Sequence, residues 1–328
     1  ADHPYNWQVI GSLEDLQNAT LPDVKEFFRK WYVPNNVTLV VAGDFDKDEA
    51  RKWVEKYFSE IKKGEVVELQ TKRPGLVKET VKLFHEDNFA RVPELNIAWV
   101  TVEDYHPDSY PLEILAQYLT DGKKAPFYKV LVEDKKLTSN VNMYNSTSEL
   151  AGQMQLSLRA FADEDLDEAA KAIKDAFGKF EKEGISQNDL ARIKAGLETR
   201  FYNSLSSVLG KGSQLAQYNI FAGDPGFITK DINNTLAVTA ADVMRVYNKY
   251  IKGKNYVATS FVPKTKIGLA LEGSKKAEVV EEAIVQGAED AVDPSINASY
   301  TPTPSSFDRS KEPAFGKAPQ VKTPIVWN

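Results

Sequence analysis

Three histidines, no cysteine and scattered carboxylates are what this 328-residue chain offers to a metal ion, and a Cys nucleophile is excluded. A hydrolytic zinc site needs about three protein ligands and an open water position, and a helical His pair must lie one turn apart. His3, His85 and His106 are separated by 82 and 21 residues, so no two can share a helical turn. His3 stands beside Pro4, where a solvated turn residue is expected. His85, Glu86 and Asp87 are consecutive. Adjacent strand residues point to opposite faces, so they read as a charged strand end and not as a ligand cluster. Asp44, Asp46, Asp48 and Glu55 imitate the acidic positions of an EF-hand loop, but Glu49 occupies the place where the sharp turn needs Gly. Helix capping and first-turn charge explain the same acids. The stretch TDGKKAPF (120–127) lacks the full glycine-lysine pattern of a phosphate loop. Asn18, Asn36, Asn145 and Asn297 open N-x-[ST] triplets, a pattern frequent by chance. Core packing is the default reading of the Trp and Tyr residues, with an aromatic cage as the alternative. The residues therefore assign no catalytic, cofactor-binding or metal-binding position to this chain.

The elements that would have to position any chemistry are easier to read. Hydrophobic residues make up 42% and charged residues 27%, the balance of a globular protein, and the net charge of -6 comes without a basic stripe that would suit a nucleic acid. No apolar run approaches the ~18 residues of a membrane helix. The absence of Cys excludes disulfides and thiolate zinc sites but does not choose a compartment. Thr20 and Asp23 form a capping-box pattern ahead of a stripe at Val24, Phe27, Phe28 and Trp31. VTLVVA (37–42) reads as a strand covered on both faces, and a second helix presents Ala50, Trp53, Val54, Tyr57 and Phe58. Residues 65–75 read as a linker. Strands are expected at 77–84, 94–102, 139–145 and 152–161. Helices are expected through Leu112–Leu119, from Leu166 to Phe180 and from a Ser186 cap to about Val208. This order gives an α+β fold of repeated units, each a mainly antiparallel sheet covered by helices. Residues 272–292 read as an exposed helix, and 293–328, with six of the 16 prolines, as an extended strap.

An internal repeat sets the organisation. ATLPDVKEFFRKWYVPNNVTLVVAGD (19–44) and VTAADVMRVYNKYIKGKNYVATSFVP (238–263) share a Thr cap, an Asp-Val pair, an aromatic at Trp31 or Tyr250, an Asn and a β-rich run. The second copy closes a complete unit of about 190 residues, whereas only 18 residues precede the first. The expected domains are 1–64 as the C-terminal half of a first unit, 65–75 as linker, 76–266 as a complete second unit, and 267–328 as helix and strap.

HPYNWQVIGSLEDLQNATLPDVKEFFRKWYVPNNVTLVVAGDFDKDEARKWVEKYF, with GDPGF and VTAADVMRVYNKYI later and SSFDRSKEPAFGKAP in the tail, resembles the pitrilysin/insulinase family of zinc metallopeptidases. The resemblance implies a parent of four homologous units in two halves around a substrate chamber. Its zinc would be held by an H-x-x-E-H helix upstream of the matching segment, with the Glu as general base. The family's substrate-contacting Arg and Tyr have no counterpart in LVEDKKLTS (131–139), where Val132 and Ser139 occupy those places. By this resemblance the chain is a non-catalytic portion of a zinc endopeptidase, forming chamber wall. It would be inactive alone, with zinc and a peptide substrate expected only in the parent. Its partners would be the missing half of the first unit and a second half or subunit. The alternative is a fragment of a catalytically silent homologue acting as a structural or peptide-binding subunit. The resemblance is closest to bacterial members and points to the periplasm, with the cytoplasm as alternative.

Overall fold

The computed structural model describes residues 3–7, 9–279 and Ser306. After a short turn at Pro4–Asn6 come α1 (Leu13–Asn18), α2 (Leu21–Trp31) and α3 (Lys47–Phe58). The capping box at α2 is formed: the Thr20 amide donates to the Asp23 carboxylate at 2.9 Å. Asp46 caps α3, accepting from the amides of Asp48 and Glu49. The run 37–42, expected as a buried strand, is not in a sheet and is largely exposed. A strand needs a neighbour to take its backbone donors and acceptors, and none of the described residues supplies one.

From residue 81 onward the chain builds one mixed sheet. Its strands are β1 (Val81–Asp87), β2 (Glu94–Thr101), β3 (Thr138–Thr147), β4 (Gly152–Ala160), β5 (Val257–Pro263) and β6 (Lys275–Lys276), in the order β3-β4-β2-β5-β1-β6. The β3-β4, β4-β2 and β2-β5 pairs are antiparallel, while β1 pairs parallel with β5 and β6. The strand read at 77–84 thus begins four residues later.

Alternation decides which face is covered. Leu95, Ile97 and Trp99 on β2, Met154, Leu156 and Leu158 on β4, and Ala258, Ser260 and Val262 on β5 are buried. Over them lie α4 (Ser109–Thr120), α5 (Leu166–Glu183) and α9 (Ala240–Tyr250). A 3.6-residue stripe fits each helix to this surface: Leu112, Leu115 and Leu119 on α4, and Ala169, Ile173, Ala176 and Phe180 on α5. Trp99 meets Phe177 edge-on, and Tyr247 of α9 packs on Phe177 and Phe180. The remaining helices are α6 (Gln187–Ser204), α7 (Val208–Gln217) and α8 (Ile228–Ala237). The single helix expected to reach Val208 instead stops at Ser204, because Ser207 caps a new one through the Gly210 amide at 2.9 Å. The exposed helix expected at 272–292 is not helical over 272–279, where β6 forms and Ala277 donates to Phe84 at 2.8 Å. The rest of that stretch and the strap at 293–328 lie outside the described residues, apart from Ser306, which donates to Glu60 at 3.2 Å.

Candidate functional site

With α4, α5 and α9 all on one side, the opposite face of the sheet carries no helix among the described residues. Strand register aligns Asn142, Ser157, Asn96, Thr259 and Leu83 in one row across β3, β4, β2, β5 and β1. The next row is Tyr144, Gln155, Ala98, Val257 and Val81. Both rows are neutral, and most of the side chains in them are half-buried or exposed. A third row, Arg159, Glu94, Phe261 and His85, holds the Arg159–Glu94 ion pair at 2.6 Å. Amide and hydroxyl side chains offer both donors and acceptors without charge, which suits a peptide backbone whatever its side chains.

β3 is the edge strand on this side. Beside it the last turn of α4 and the following loop enclose a cavity of about 400 Å3, lined by Thr120, Asp121, Lys123, Tyr128, Asn140 and Asn142 among others. Thr120 Oγ1 accepts from the Met143 amide at 3.3 Å, so one outward-pointing edge donor is already satisfied. Gly122 holds the loop with φ of +85°, open to a residue without a Cβ. The TDGKKAPF stretch therefore shapes a polar cavity at a strand edge.

Two polar networks fix the helices, and neither was visible in the sequence because their partners are distant in the chain. Asp108, just before α4, is buried and accepts from Arg245 Nη1 at 2.6 Å, Lys249 Nζ at 2.8 Å and Tyr250 Oη at 2.6 Å. Burial pushes its carboxyl up, but the bonds from Lys249, Tyr250 and Arg245 outweigh that and hold it well below the usual range. Asp231 on α8 accepts from Tyr110 at 2.8 Å and Tyr218 at 2.7 Å. Burial, aided by the charges of Asp231 and Asp104, pushes the nearby Tyr105 phenol up to about 12. These groups clamp α4, α8 and α9 together and none opens onto the bare sheet face by any contact described.

The residues singled out for chemistry are dispersed. His3 Nδ1 accepts from the Tyr5 amide at 3.1 Å, and its Nε2 lies 3.0 Å from the Arg73 carbonyl, so it joins the linker where a solvated residue was expected. His85 lies edge-on to Phe261, Glu86 accepts from the Thr265 amide, and Asp87 accepts from the Phe89 and Ala90 amides. His106 Nδ1 accepts from the Asp108 amide. Asp44, Asp48, Glu49 and Glu55 lie in and before α3 around the Asp46 cap. Val132 is in a π-helical turn (Tyr128–Asp134) and Ser139 is in β3. Asn36 donates to the Trp31 carbonyl, Asn145 accepts from Thr101, Asn18 ends α1, and Asn297 lies outside the described residues. Among the described residues no three His, Asp, Glu or Cys are placed to hold a metal ion. No described helix is long and apolar enough to cross a membrane.

Residues 18–197 match the family model described as the peptidase M16 inactive domain. The chain is 25% identical over 258 residues to the zinc protease PqqE of Helicobacter pylori, a match covering 76% of this chain and 56% of the relative. It thus spans little more than half the length of that relative. Its fold is similar to the crystal structure of a peptidase M16 inactive domain from Pseudomonas fluorescens (TM-score 0.69, 19% identity, 80% of this chain and 62% of that one). It is also similar to the periplasmic protease PqqL of Escherichia coli (TM-score 0.55, 15% identity, 68% of this chain and 25% of that one). The chain belongs to the M16 family of zinc peptidases, the pitrilysin/insulinase family, and carries the family's inactive domain.

Proposed function

We propose that residues 76–266 form a non-catalytic unit whose bare sheet face is a wall of the substrate chamber in a larger zinc endopeptidase. On this reading 1–64 belongs to the preceding unit of the same architecture, 65–75 links the two, and 267–328 leads away from the second. The observation that carries the proposal is the face free of described helices: two uncharged rows in which amides and hydroxyls cluster on β3, β4 and β2 and apolar side chains on β1, beside an edge strand. Such a surface holds an extended peptide through its backbone while hydrolysis proceeds at a zinc ion held elsewhere in the complete protein. Peptide or protein is the substrate class, and a second half or subunit closes the chamber. The periplasm is the proposed compartment, supported by the fold likeness to a protease described as periplasmic.

These 328 residues contain no Cys, so a thiol introduced among them can be followed by peptide mapping of the labelled protein. Asn142→Cys and Ser157→Cys place single thiols on the bare face, and Lys182→Cys places one on the helical side. In the complete protease, a saturating peptide is expected to slow maleimide labelling of the first two and leave the third unchanged. Equal labelling with and without peptide at all three positions removes the chamber-wall reading. A second reading, a subunit of a catalytically silent homologue, shares the same bare face and predicts the same protection. The zinc content of the complete polypeptide separates the two readings.

A further inference from the structure

A second cavity, of about 250 Å3, lies where α7 ends and α8 begins. Leu205, Leu215, Pro225 and Ile228 line it, together with the buried ring of Tyr218. The local sequence builds it. α7 passes at Tyr218 into a π-helical turn, Tyr218–Ala222, which Gly223 closes at φ of +72°. Widened turns of this kind are frequent at functional sites. Asp224 Oδ1 then accepts from the Gly226 amide at 2.8 Å, a turn that sets Pro225 on the rim. Behind the cavity the Tyr218 hydroxyl donates to Asp231 of α8 at 2.7 Å, and the rings of Tyr105 and Phe227 each pack 5.6 Å from that of Tyr218. Tyr110 of α4 donates to the same Asp231 carboxylate, which ties the cavity to the helical side of the sheet, away from the bare face. The walls are thus held in place before any ligand arrives, and that lowers the ordering cost of binding.

Size and charge decide what fits. An apolar cavity of ~150 Å3 holds a benzene ring, whereas drug-sized ligands occupy ~300 Å3 or more. At about 250 Å3 this one suits a single ring or a short acyl chain. Its interior offers little to a polar ligand, because the Tyr218 hydroxyl is engaged by Asp231 and the Gln214 side chain by Tyr105. One cation belongs to the lining: Lys211, whose ammonium has no ion-pair or hydrogen-bond partner among the described residues. The lining holds no acidic residue among those described. A cationic ligand would therefore meet an uncompensated like charge, and an anionic one a partner on a flexible stem that can reach across the mouth.

We infer that this cavity is a binding site for a small amphiphilic carboxylate, with its ring or acyl chain seated against Leu205, Leu215, Pro225 and Ile228 and its carboxylate on Lys211. The inference uses no feature of the bare face and stands apart from the proposed chamber role.

Methyl NMR of the 328-residue chain, titrated with 4-phenylbutyrate, 4-phenylbutanol and 4-phenylbutylamine, tests it. The acid should shift the methyls of Leu205, Leu215 and Ile228 saturably and bind about fivefold or more tightly than the alcohol or the amine. Lys211→Met should bring the three ligands to within about twofold of one another. Leu215→Trp, which fills the hollow from a helix position that is 44% exposed, should stop the acid binding while the far-UV spectrum and Tm stay as they are. Three results overturn the inference: no saturable shift at about 10 mM acid, equal binding of acid and amine, or unchanged acid binding in Leu215→Trp. So do shifts as large at the exposed methyls of Leu69 and Leu76, which mark unspecific adsorption. Tighter binding of a peptide ending in Phe than of the free acid also overturns it, by assigning the cavity to a chain terminus.

Discussion

Asp108→Asn tests whether the buried carboxylate, and not apolar contact alone, locks α4 to α9. Three donors at 2.6 to 2.8 Å converge on its two oxygens. A hydrogen bond to a charged group is worth about 1.5–3 kcal/mol. Arg245 and Lys249 are about half exposed (48% and 54%), so they regain hydration when released and the lower end applies to them. The Asn side chain also turns an NH2 toward donors. The net loss is about 2–3 kcal/mol, which for a unit of this size lowers Tm by roughly 4–10 °C. The pH dependence has a fixed sign. A carboxyl depressed in the folded state contributes all its stability above the unfolded value, ~3.9, and loses it as pH falls through the folded value. Calorimetry of both proteins should show the Tm gap intact from pH 7 to about 5 and narrowing steadily below about 4. A gap under about 1 °C at pH 7, or one as wide at pH 3 as at pH 7, refutes the assignment.

Thr239→Ala removes the cap of α9 and should cost about 1 kcal/mol in the unfolding of the second unit. Thr20→Ala deletes the matching cap of α2 and should leave that transition unmoved, as denaturant titration will show. At Gly152 an added Cβ would lie 2.2 Å from the Val102 carbonyl oxygen, so Gly152→Ala should push the start of β4 away from the end of β2 and lower stability by about 1–3 kcal/mol. After dialysis, elemental analysis of the 328-residue chain should find no stoichiometric zinc, and a quenched fluorescent peptide should stay intact with or without added metal. One tightly held zinc per chain with chelator-sensitive cleavage would refute that expectation.

What the sequence made legible was whatever local pattern decides. The Thr-Asp boxes, the alternation at Leu95, Ile97 and Trp99, and the stripe from Leu166 to Phe180 each need only a few neighbours to be read, and each forms as expected. The Asp108 network was not legible, because its partners lie 137 to 142 residues away and nothing about an acid before a helix names them. The Ser207 cap was legible in principle, since Ser206-Ser207 interrupts the apolar stripe, but a long helix absorbs such a pair on periodicity alone. The bare sheet face was half legible. Alternation shows that every second residue leaves the core, while only the placement of all three helices on one side shows that those residues meet no second layer.

The run VTLVVA shows where local pattern stops deciding structure. Its composition is as strand-like as that of β5, and its repeat partner is the centre of a sheet, yet it forms no ladder here. β-propensity describes how well a side chain fits a pleated surface, and the surface has to exist first. β5 finds it in β1 and β2, whereas 37–42 finds only α7 and the turn after it on one side, where Asn219 donates to Thr38 while Leu39 and Val41 stay about half exposed. A helix such as α2 can form ahead of its packing partner because its backbone bonds are internal. A strand cannot, so the same repeated sequence yields a helix twice and a strand once. The difference between the two copies therefore reports on their surroundings and not on their sequences.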